Sequence, residues 1–301
     1  MDTTHRHNHH HHDLSAPIGK IFIFCIALNV LFVGIEIVVG LLYNSVGLLS
    51  DAGHNLSDVF SLLLVLVAFR MGKAASSPQF TYGYKKATIL ISLINALMLL
   101  VAVGAIIIES IYKLKNPQPT SGTAISWTAG AGILINGLTT WLLMGGSRRD
   151  INVKGAYLHM LMDTLVSIGV VVSGIVISYT GWVWIDPVIG IILAIIIMFS
   201  TYNLLKESLL MTLDAVPPSV DKEHIVEELR NYTKIESWHH LHIWAISTTD
   251  FSATIHIVIR DLNDMKKVNT EVREIFHKSG VHHCTIETEI AGTECQEYSC
   301  K

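Results

Sequence analysis

Two short polar motifs lie inside long apolar stretches of this sequence. Residues 49–58 read LSDAGHNLSD, and residues 159–163 read HMLMD. In both motifs a histidine precedes an aspartate by four residues, His54 before Asp58 and His159 before Asp163, so each pair shares one helix face about one turn apart. Ionisable side chains at bilayer depth are energetically costly and normally face a cavity or a partner. The motifs therefore predict a functional site between two membrane helices.

The first two thirds of the chain contain six apolar stretches, each long enough to cross a bilayer, which takes about 20 helical residues. They are predicted at residues 18–43, 46–69, 88–112, 123–144, 153–179 and 183–205. Half of the 301 residues are apolar and 15% are charged, against about a quarter in soluble domains. We therefore expect an integral, multi-pass membrane protein rather than an ordinary soluble enzyme.

Basic residues are concentrated in the connections after the second and fourth stretches. They are Arg70, Lys73, Lys85, Lys86, Arg148, Arg149 and Lys154. Because basic loops are retained on the cytoplasmic side, both termini are predicted to be cytoplasmic, in a bacterial inner membrane or an equivalent membrane. The formal net charge of −4 offers no basic surface for DNA or RNA, so no nucleic-acid partner is expected.

The polar remainder of the chain predicts a separate soluble domain. We divide the chain into an N-terminal arm (1–17), a six-helix transmembrane domain (18–207) and a cytoplasmic domain (208–301). Apolar periodicity in the last part predicts helices at 220–232 and 264–278 and strands at 239–246, 253–259 and 283–290. The expected fold class is an α-helical membrane protein followed by a small α+β domain of order αββαβ.

Two imidazoles and two carboxylates form a ligand set suited to tetrahedral Zn²⁺ and, less strictly, to Co²⁺ or Cd²⁺. The alternative is hydrogen bonding between helices without a metal, but two copies of one spacing favour the metal site. Asp51 and Asn55, beside His54, are predicted to be accessory residues. Other polar residues within the spans are interpreted as packing or supporting groups: Asn29, Glu36, Asn95 and Asn136.

Together with Phe80-Thr81-Tyr82-Gly83-Tyr84 and the αββαβ tail, the two motifs resemble the cation diffusion facilitator family of zinc transporters. The resemblance implies a homodimer that exports Zn²⁺ from the cytoplasm in exchange for protons. It implies that His54, Asp58, His159 and Asp163 are the transport site, and that the tail is a metallochaperone-like domain that dimerises on binding zinc. Some members carry a histidine where this chain has Tyr84, so no metal site is predicted in that loop.

The tail contains further candidate ligands. Alternation along the first predicted strand places His240 and His242 on one face. The family resemblance implies a tail metal site at His240, His256, Glu287 and Glu289, although these could also be ordinary outward-facing polar residues. The remaining tail histidines are expected to be solvated or capping residues: His224, His239, His277, His282 and His283.

Both ends of the chain carry possible metal ligands. Cys295 and Cys300 are soft potential ligands, and in a cytoplasmic tail they are not expected to form a disulfide. The N-terminal histidines are interpreted as a metal-capturing arm: His5, His7, His9, His10, His11 and His12.

The alternatives to transport are a metal-dependent membrane enzyme and a metal-sensing membrane protein. A metal-dependent membrane enzyme would need an open coordination position and a general base, as in His-Glu-x-x-His, and the sequence has no such motif. A metal-sensing membrane protein would not need six spans with paired ligands inside the bilayer. The sequence therefore favours a secondary transporter over an enzyme.

Overall fold

The structure is a computed structural model that describes residues 15–42, 46–116, 122–182 and 184–292. Within these ranges, the side chains of Asp51 and His54 lie outside the described part. Six long helices occupy the predicted spans: α1 (Ser15–Leu42), α2 (Val46–Gly72), α3 (Lys85–Lys115), α4 (Gly122–Ser147), α5 (Ile151–Thr180) and α6 (Ile185–Thr212).

Each of these helices is long enough to cross a membrane. They contain 26 to 31 residues, and at 1.5 Å per residue they measure about 39 to 46 Å, more than the roughly 30 Å bilayer core. Length and hydropathy alone identify three spans within the described ranges: Gly19–Val38, Lys85–Lys115 and Pro187–Thr212. Apolar side chains such as Leu31 and Val101 are largely exposed on the outside of the bundle, as expected for contact with lipid.

Helix α6 continues beyond the predicted end of the last span, to Thr212. Its extension carries Glu207, whose carboxylate lies 2.8 Å from the Nζ of Lys154 in the second turn of α5. Apolar residues farther along, such as buried Met211, pack against the core of the tail. The helix therefore continues out of the apolar region because both its charged and its apolar residues find partners there.

Helices α2 and α5 meet inside the bundle. Leu62 of α2 and Met160 of α5 are fully buried in one apolar cluster, and Met162 of α5 is buried with Leu99 of α3 in another. Met160 and Met162 lie within the polar motif, between His159 and Asp163, so apolar packing of both methionines fixes the orientation of this helix.

The tail is a three-stranded sheet covered by two helices. Its elements are α7 (Lys222–Asn231), β1 (Ser237–Ala245), β2 (Phe251–Ile259), a 3₁₀ turn (Leu262–Asp264), α8 (Met265–Lys278) and β3 (Val281–Ile290). The sheet order is β1-β2-β3; β1 pairs with β2 antiparallel, and β2 with β3 parallel. The parallel pair requires the crossover that α8 provides.

The two faces of the central strand have different roles. Ile255 and Ile257 point into the core, where they pack with Leu229 of α7 and Phe276 of α8. Because side chains alternate along a strand, His256 faces the opposite side of the sheet. This face has no helix of the tail over it among the described residues, which leaves it available for polar chemistry.

The turn between β1 and β2 contacts the membrane domain. The backbone N–H of Thr248 donates to the Oγ1 of Thr88 at the start of α3 (3.2 Å), and the Thr248 hydroxyl donates to the Oδ2 of Asp150 just before α5 (3.2 Å). The Nζ of Lys85 lies 2.8 Å from the Oδ2 of Asp250. One turn of the tail therefore touches the start of α3 and the residue just before α5.

Candidate metal centres

Three of the four predicted intramembrane ligands lie together between α2 and α5. The Nε2 of His159 is 2.7 Å from the Oδ1 of Asp58 and 3.7 Å from the Oδ2 of Asp163. One ligand atom from each residue can be chosen so that all three lie within 4.8 Å of one another. The donor atoms of a tetrahedral Zn²⁺ site are about 3.4 Å apart, given metal–ligand distances near 2.1 Å. Small side-chain movements would therefore suffice to enclose one ion.

The cluster is almost completely buried. Asp58 is 0% exposed, His159 3% and Asp163 5%. With Asp58 ionised, its oxygen only accepts, and His159 Nε2–H is then the donor of this short hydrogen bond. Two carboxylates in such surroundings need a positive partner, and a divalent cation or protons would supply it. The donor set and its burial thus match the chemistry predicted from the two motifs.

The fourth predicted ligand, His54, and the accessory residue Asp51 have side chains outside the described part of the structure. Their backbones lie on α2, one turn and two turns before Asp58. The other accessory residue, Asn55, is 5% exposed and donates from Nδ2 to the Oε2 of Glu36 on α1 at 2.8 Å.

A glycine brings a third helix close to α5. A Cβ added to Gly155, one turn before His159, would lie 2.5 Å from the Nδ2 of Asn95 on α3. A side chain at position 155 would force Asn95 to move, so α3 packs closely against the part of α5 that carries the polar motif. Gly155 belongs to the polar face of α5 that the sequence spacing defines.

A second polar cluster lies on the open face of the tail sheet. The Nδ1 of His256 is 2.9 Å from the Oε1 of Glu289, and the Nε2 of His239 is 3.3 Å from the same oxygen. His239, His256 and Glu289 each offer a ligand atom within 4.8 Å of the others. Glu287 lies 3.5 Å from the Nε2 of His256, but its side chain is 62% exposed, against 12% for Glu289.

Comparisons with known proteins agree with this architecture. The family model for the cation efflux transmembrane domain matches residues 22–212, and the model for the cytoplasmic domain of cation efflux proteins matches residues 217–291. The chain belongs to the cation efflux family. It is 33% identical over 290 residues to a cadmium, cobalt and zinc/H(+)-K(+) antiporter of Bacillus velezensis, with 95% of this chain and 92% of the relative covered.

Two further relatives of the cation efflux family are similar over nearly their whole length. The metal cation efflux system protein CzcD of Cupriavidus metallidurans is 33% identical over 287 residues, covering 95% of this chain and 91% of the relative. The zinc transporter ZitB of Pectobacterium atrosepticum is 32% identical over 286 residues, covering 94% and 88%. These matches confirm the predicted family and fold class and the prediction of a membrane transporter of metal cations rather than an enzyme.

The structure changes the expectation for the first tail strand. His239, expected to be solvated, is directly paired with His256 across the strands, and a register shift between His239 and His242 marks a β-bulge. His240 lies within this bulge with a φ of 51°. The centroid of its ring is 4.9 Å from that of His256. The three residues whose ligand atoms lie within 4.8 Å of one another are nevertheless His239, His256 and Glu289, so His239 takes the place predicted for His240. A bulge adds one residue to a strand and so shifts which side chains share a face.

Of the four cysteines, Cys25 and Cys284 lie in the described part of the structure, and Cys25 is buried within α1. Burial raises the pKa of the Cys284 thiol to about 12, so it is protonated at neutral pH and a poor metal ligand there. Cys295 and Cys300 lie outside the described residues, as do the histidines of the N-terminal arm: His5, His7, His9, His10, His11 and His12.

Sequence reasoning missed the contacts made by the turn before β2. Thr248 is 7% exposed, and its partner Asn152, at the start of α5, is 2% exposed. The Nδ2 of Asn152 donates to the Oγ1 of Thr248 at 3.4 Å. Neutral polar residues in a turn have no periodicity or charge that would reveal such a contact, so only the fold identifies it.

Proposed function

We propose that this cation efflux transporter exports Zn²⁺ from the cytoplasm in exchange for protons, through a site formed by His54, Asp58, His159 and Asp163. The buried cluster of Asp58, His159 and Asp163 between α2 and α5 is the observation that carries this proposal. Exchange would proceed by alternating access, with the site opening first to the cytoplasm and then to the opposite side of the membrane.

The ligand chemistry supports exchange of metal for protons. Imidazole and carboxylate must be deprotonated to coordinate a metal, so binding of Zn²⁺ releases protons and protonation releases Zn²⁺. In the structure the Nε2 of His159 and the Oδ1 of Asp58 are joined by a short hydrogen bond, so a hydrogen lies between two atoms that would coordinate the metal. The same atoms would serve both the metal and the proton, and no second binding site is required for coupling.

The donor types support Zn²⁺ as the preferred substrate. Nitrogen and carboxylate oxygen in a tetrahedral arrangement suit Zn²⁺ and also accommodate Co²⁺ and Cd²⁺, whereas Mg²⁺ and Ca²⁺ favour all-oxygen sites with more ligands. The relatives are named for zinc, cobalt and cadmium, in keeping with this ligand set.

We further propose that the protein is a homodimer with both termini in the cytoplasm, and that the tail binds Zn²⁺ at His239, His256 and Glu289. The matched cytoplasmic domain belongs to a dimerisation family. All three tail residues lie on the sheet face opposite α7 and α8. An ion on this open face would be accessible from the cytoplasm, and a second copy could cover it.

The proposal is tested by reconstituting the full chain in proteoliposomes with a zinc-sensitive dye and a pH-sensitive dye on the same side. Zn²⁺ movement should be accompanied by proton movement in the opposite direction and should accelerate when a pH gradient is imposed. The variant His54→Ala should lose both signals together. Zinc movement without any proton signal would refute the exchange, and binding without movement would favour a metal sensor.

A further inference from the structure

One buried carboxylate of the membrane domain is outside the proposed ligand set. Glu36 lies within the apolar segment Gly19–Val38 of α1 and is 1% exposed. A carboxylate at membrane depth is unfavourable by several kcal/mol on most scales, and an apolar side chain could fill the same position without that penalty. An ionisable residue at such a position therefore indicates a functional role.

The contact of Glu36 leads towards the transport site. Its Oε2 accepts a 2.8 Å hydrogen bond from the Nδ2 of Asn55, a side chain that is itself 5% exposed. Asn55 lies three residues before Asp58, about one turn away on α2. Asp58 in turn contacts His159 on α5 at 2.7 Å. Two hydrogen bonds, linked through one turn of α2, thus connect α1, α2 and α5.

We infer that Glu36 is a positioning residue for the transport site: by holding Asn55, it fixes the rotation of α2 that directs Asp58 towards His159. A carboxylate roughly 5 Å from a helix axis moves by about 2 Å when the helix turns by about 20°. A misplacement of about 1 Å at a reacting group can reduce a rate about 100-fold. The Glu36–Asn55 contact restrains this rotation.

An ionised carboxylate at position 36 would hold Asn55 more firmly than an amide would. A hydrogen bond to an ionised acceptor is about twice as strong as one between neutral groups. An amide at position 36 would accept the same hydrogen bond more weakly. The direction of the bond, however, is not essential, because an amide at position 36 could donate to a carboxylate at position 55.

Variants at positions 36 and 55 separate a positioning role from a packing role. Glu36→Ala removes the hydrogen bond, and Asn55→Asp places two carboxylates against each other. The double variant Glu36→Gln/Asn55→Asp restores a charge-assisted hydrogen bond with donor and acceptor exchanged. Ser92→Ala is the matched control, because it removes a buried hydrogen bond of 2.9 Å between α3 and α6 that involves none of the cluster residues.

The inference rests on the proposed function, so zinc KM and kcat are measured in proteoliposomes together with thermal unfolding in detergent. We expect Glu36→Ala and Asn55→Asp to raise KM about tenfold or more, Ser92→Ala to leave KM unchanged, and the double variant to recover to within about threefold of the parent. A Glu36→Ala KM equal to that of the parent would overturn the inference, as would a double variant no better than Asn55→Asp alone. If Glu36→Ala does not fold, the KM of the double variant compared with that of Asn55→Asp still tests the positioning role of Glu36.

A reference variant separates the two failures. If Asp58→Asn transports like the parent, the proposed function is wrong. If Asp58→Asn is inactive and Glu36→Ala behaves like Ser92→Ala, only the positioning role is wrong.

Discussion

Replacing Asp58 by asparagine is the most direct test of the intramembrane site. Asparagine has nearly the same volume, and its side-chain oxygen can accept the hydrogen bond that His159 Nε2 donates to Asp58 at 2.7 Å. The completely buried position therefore keeps its packing and its partner, and the variant should fold as the parent does. It loses a negative charge and one carboxylate ligand.

The expected loss of affinity follows from the number of ligands. Zinc sites with four protein ligands bind with about 10–16 kcal/mol, so one ligand contributes roughly 2.5–4 kcal/mol if the four share equally. At 1.4 kcal/mol per tenfold, the Kd for Zn²⁺ at this site should increase by about two to three orders of magnitude. Transport at micromolar zinc should then fall below detection.

The assay combines zinc titration of the detergent-solubilised full chain with flux in proteoliposomes. Because the tail cluster remains in the variant, zinc binding at the membrane site should disappear from the titration, and any binding at the tail site should remain. Ser92→Ala again serves as the control for a lost buried hydrogen bond. An Asp58→Asn protein that folds, retains full zinc stoichiometry and transports at the parental rate would refute the assignment of the site.

Two further predictions concern the tail and the domain contact. His239→Ala should weaken zinc binding to the tail about 100-fold or more in titrations of the full chain, whereas His240→Ala and the exposed control His224→Ala should have smaller effects; a larger loss from His240→Ala would contradict the ligand assignment. Burial raises the pKa of Asp150 above its ordinary value, against the opposing effect of hydrogen bonds from Asn152 and Thr248. A raised carboxyl pKa contributes stability that is complete below the unfolded-state pKa of about 4 and is lost as pH rises through the folded-state pKa. Asp150→Asn should therefore unfold at the same or a higher temperature than the parent at pH 7. Its unfolding temperature should also fall less than that of the parent between acidic and neutral pH. A markedly lower unfolding temperature of the variant at pH 7 would show that the carboxylate charge is needed.

The helices and the polar faces of α2 and α5 could be predicted from the sequence because both depend only on residues close together along the chain. Apolar runs of about 20 residues and side chains four apart obey the geometry of a single helix, whatever surrounds it. That the two faces meet is not a local property. It could be predicted for Asp58, His159 and Asp163 because isolated ionisable groups are so unfavourable within a bilayer that two such faces have a strong reason to converge.

The ligands of the tail cluster could not be predicted correctly from the alternation of side chains along a strand. Period-two alternation predicts which side chains share a face only while the strand is regular, and a single inserted residue reverses the assignment beyond it. The four residues His239–His242 contain three histidines, so alternation gives a plausible answer in either register. The bulge depends on pairing with β2, which is a tertiary contact, and the backbone of His240 carries the positive φ that results.

The arrangement of the membrane cluster places a limit on how transport can be coupled. The Nε2 of His159 has one position for a hydrogen or a metal, and in the structure it donates to Asp58. While that hydrogen bond exists, the nitrogen cannot coordinate an ion, and once an ion is bound, Nε2 cannot carry the proton. If Asp58 and His159 are both ligands, as we propose, metal and proton exclude each other at a single atom. A metal-bound imidazole can keep a hydrogen on Nδ1, so a proton leaves the site only if His159 or a carboxylate is protonated before the ion binds. With that proton counted, coupling of the two fluxes would arise within the site, and the moving helices would only have to determine which side of the membrane it faces.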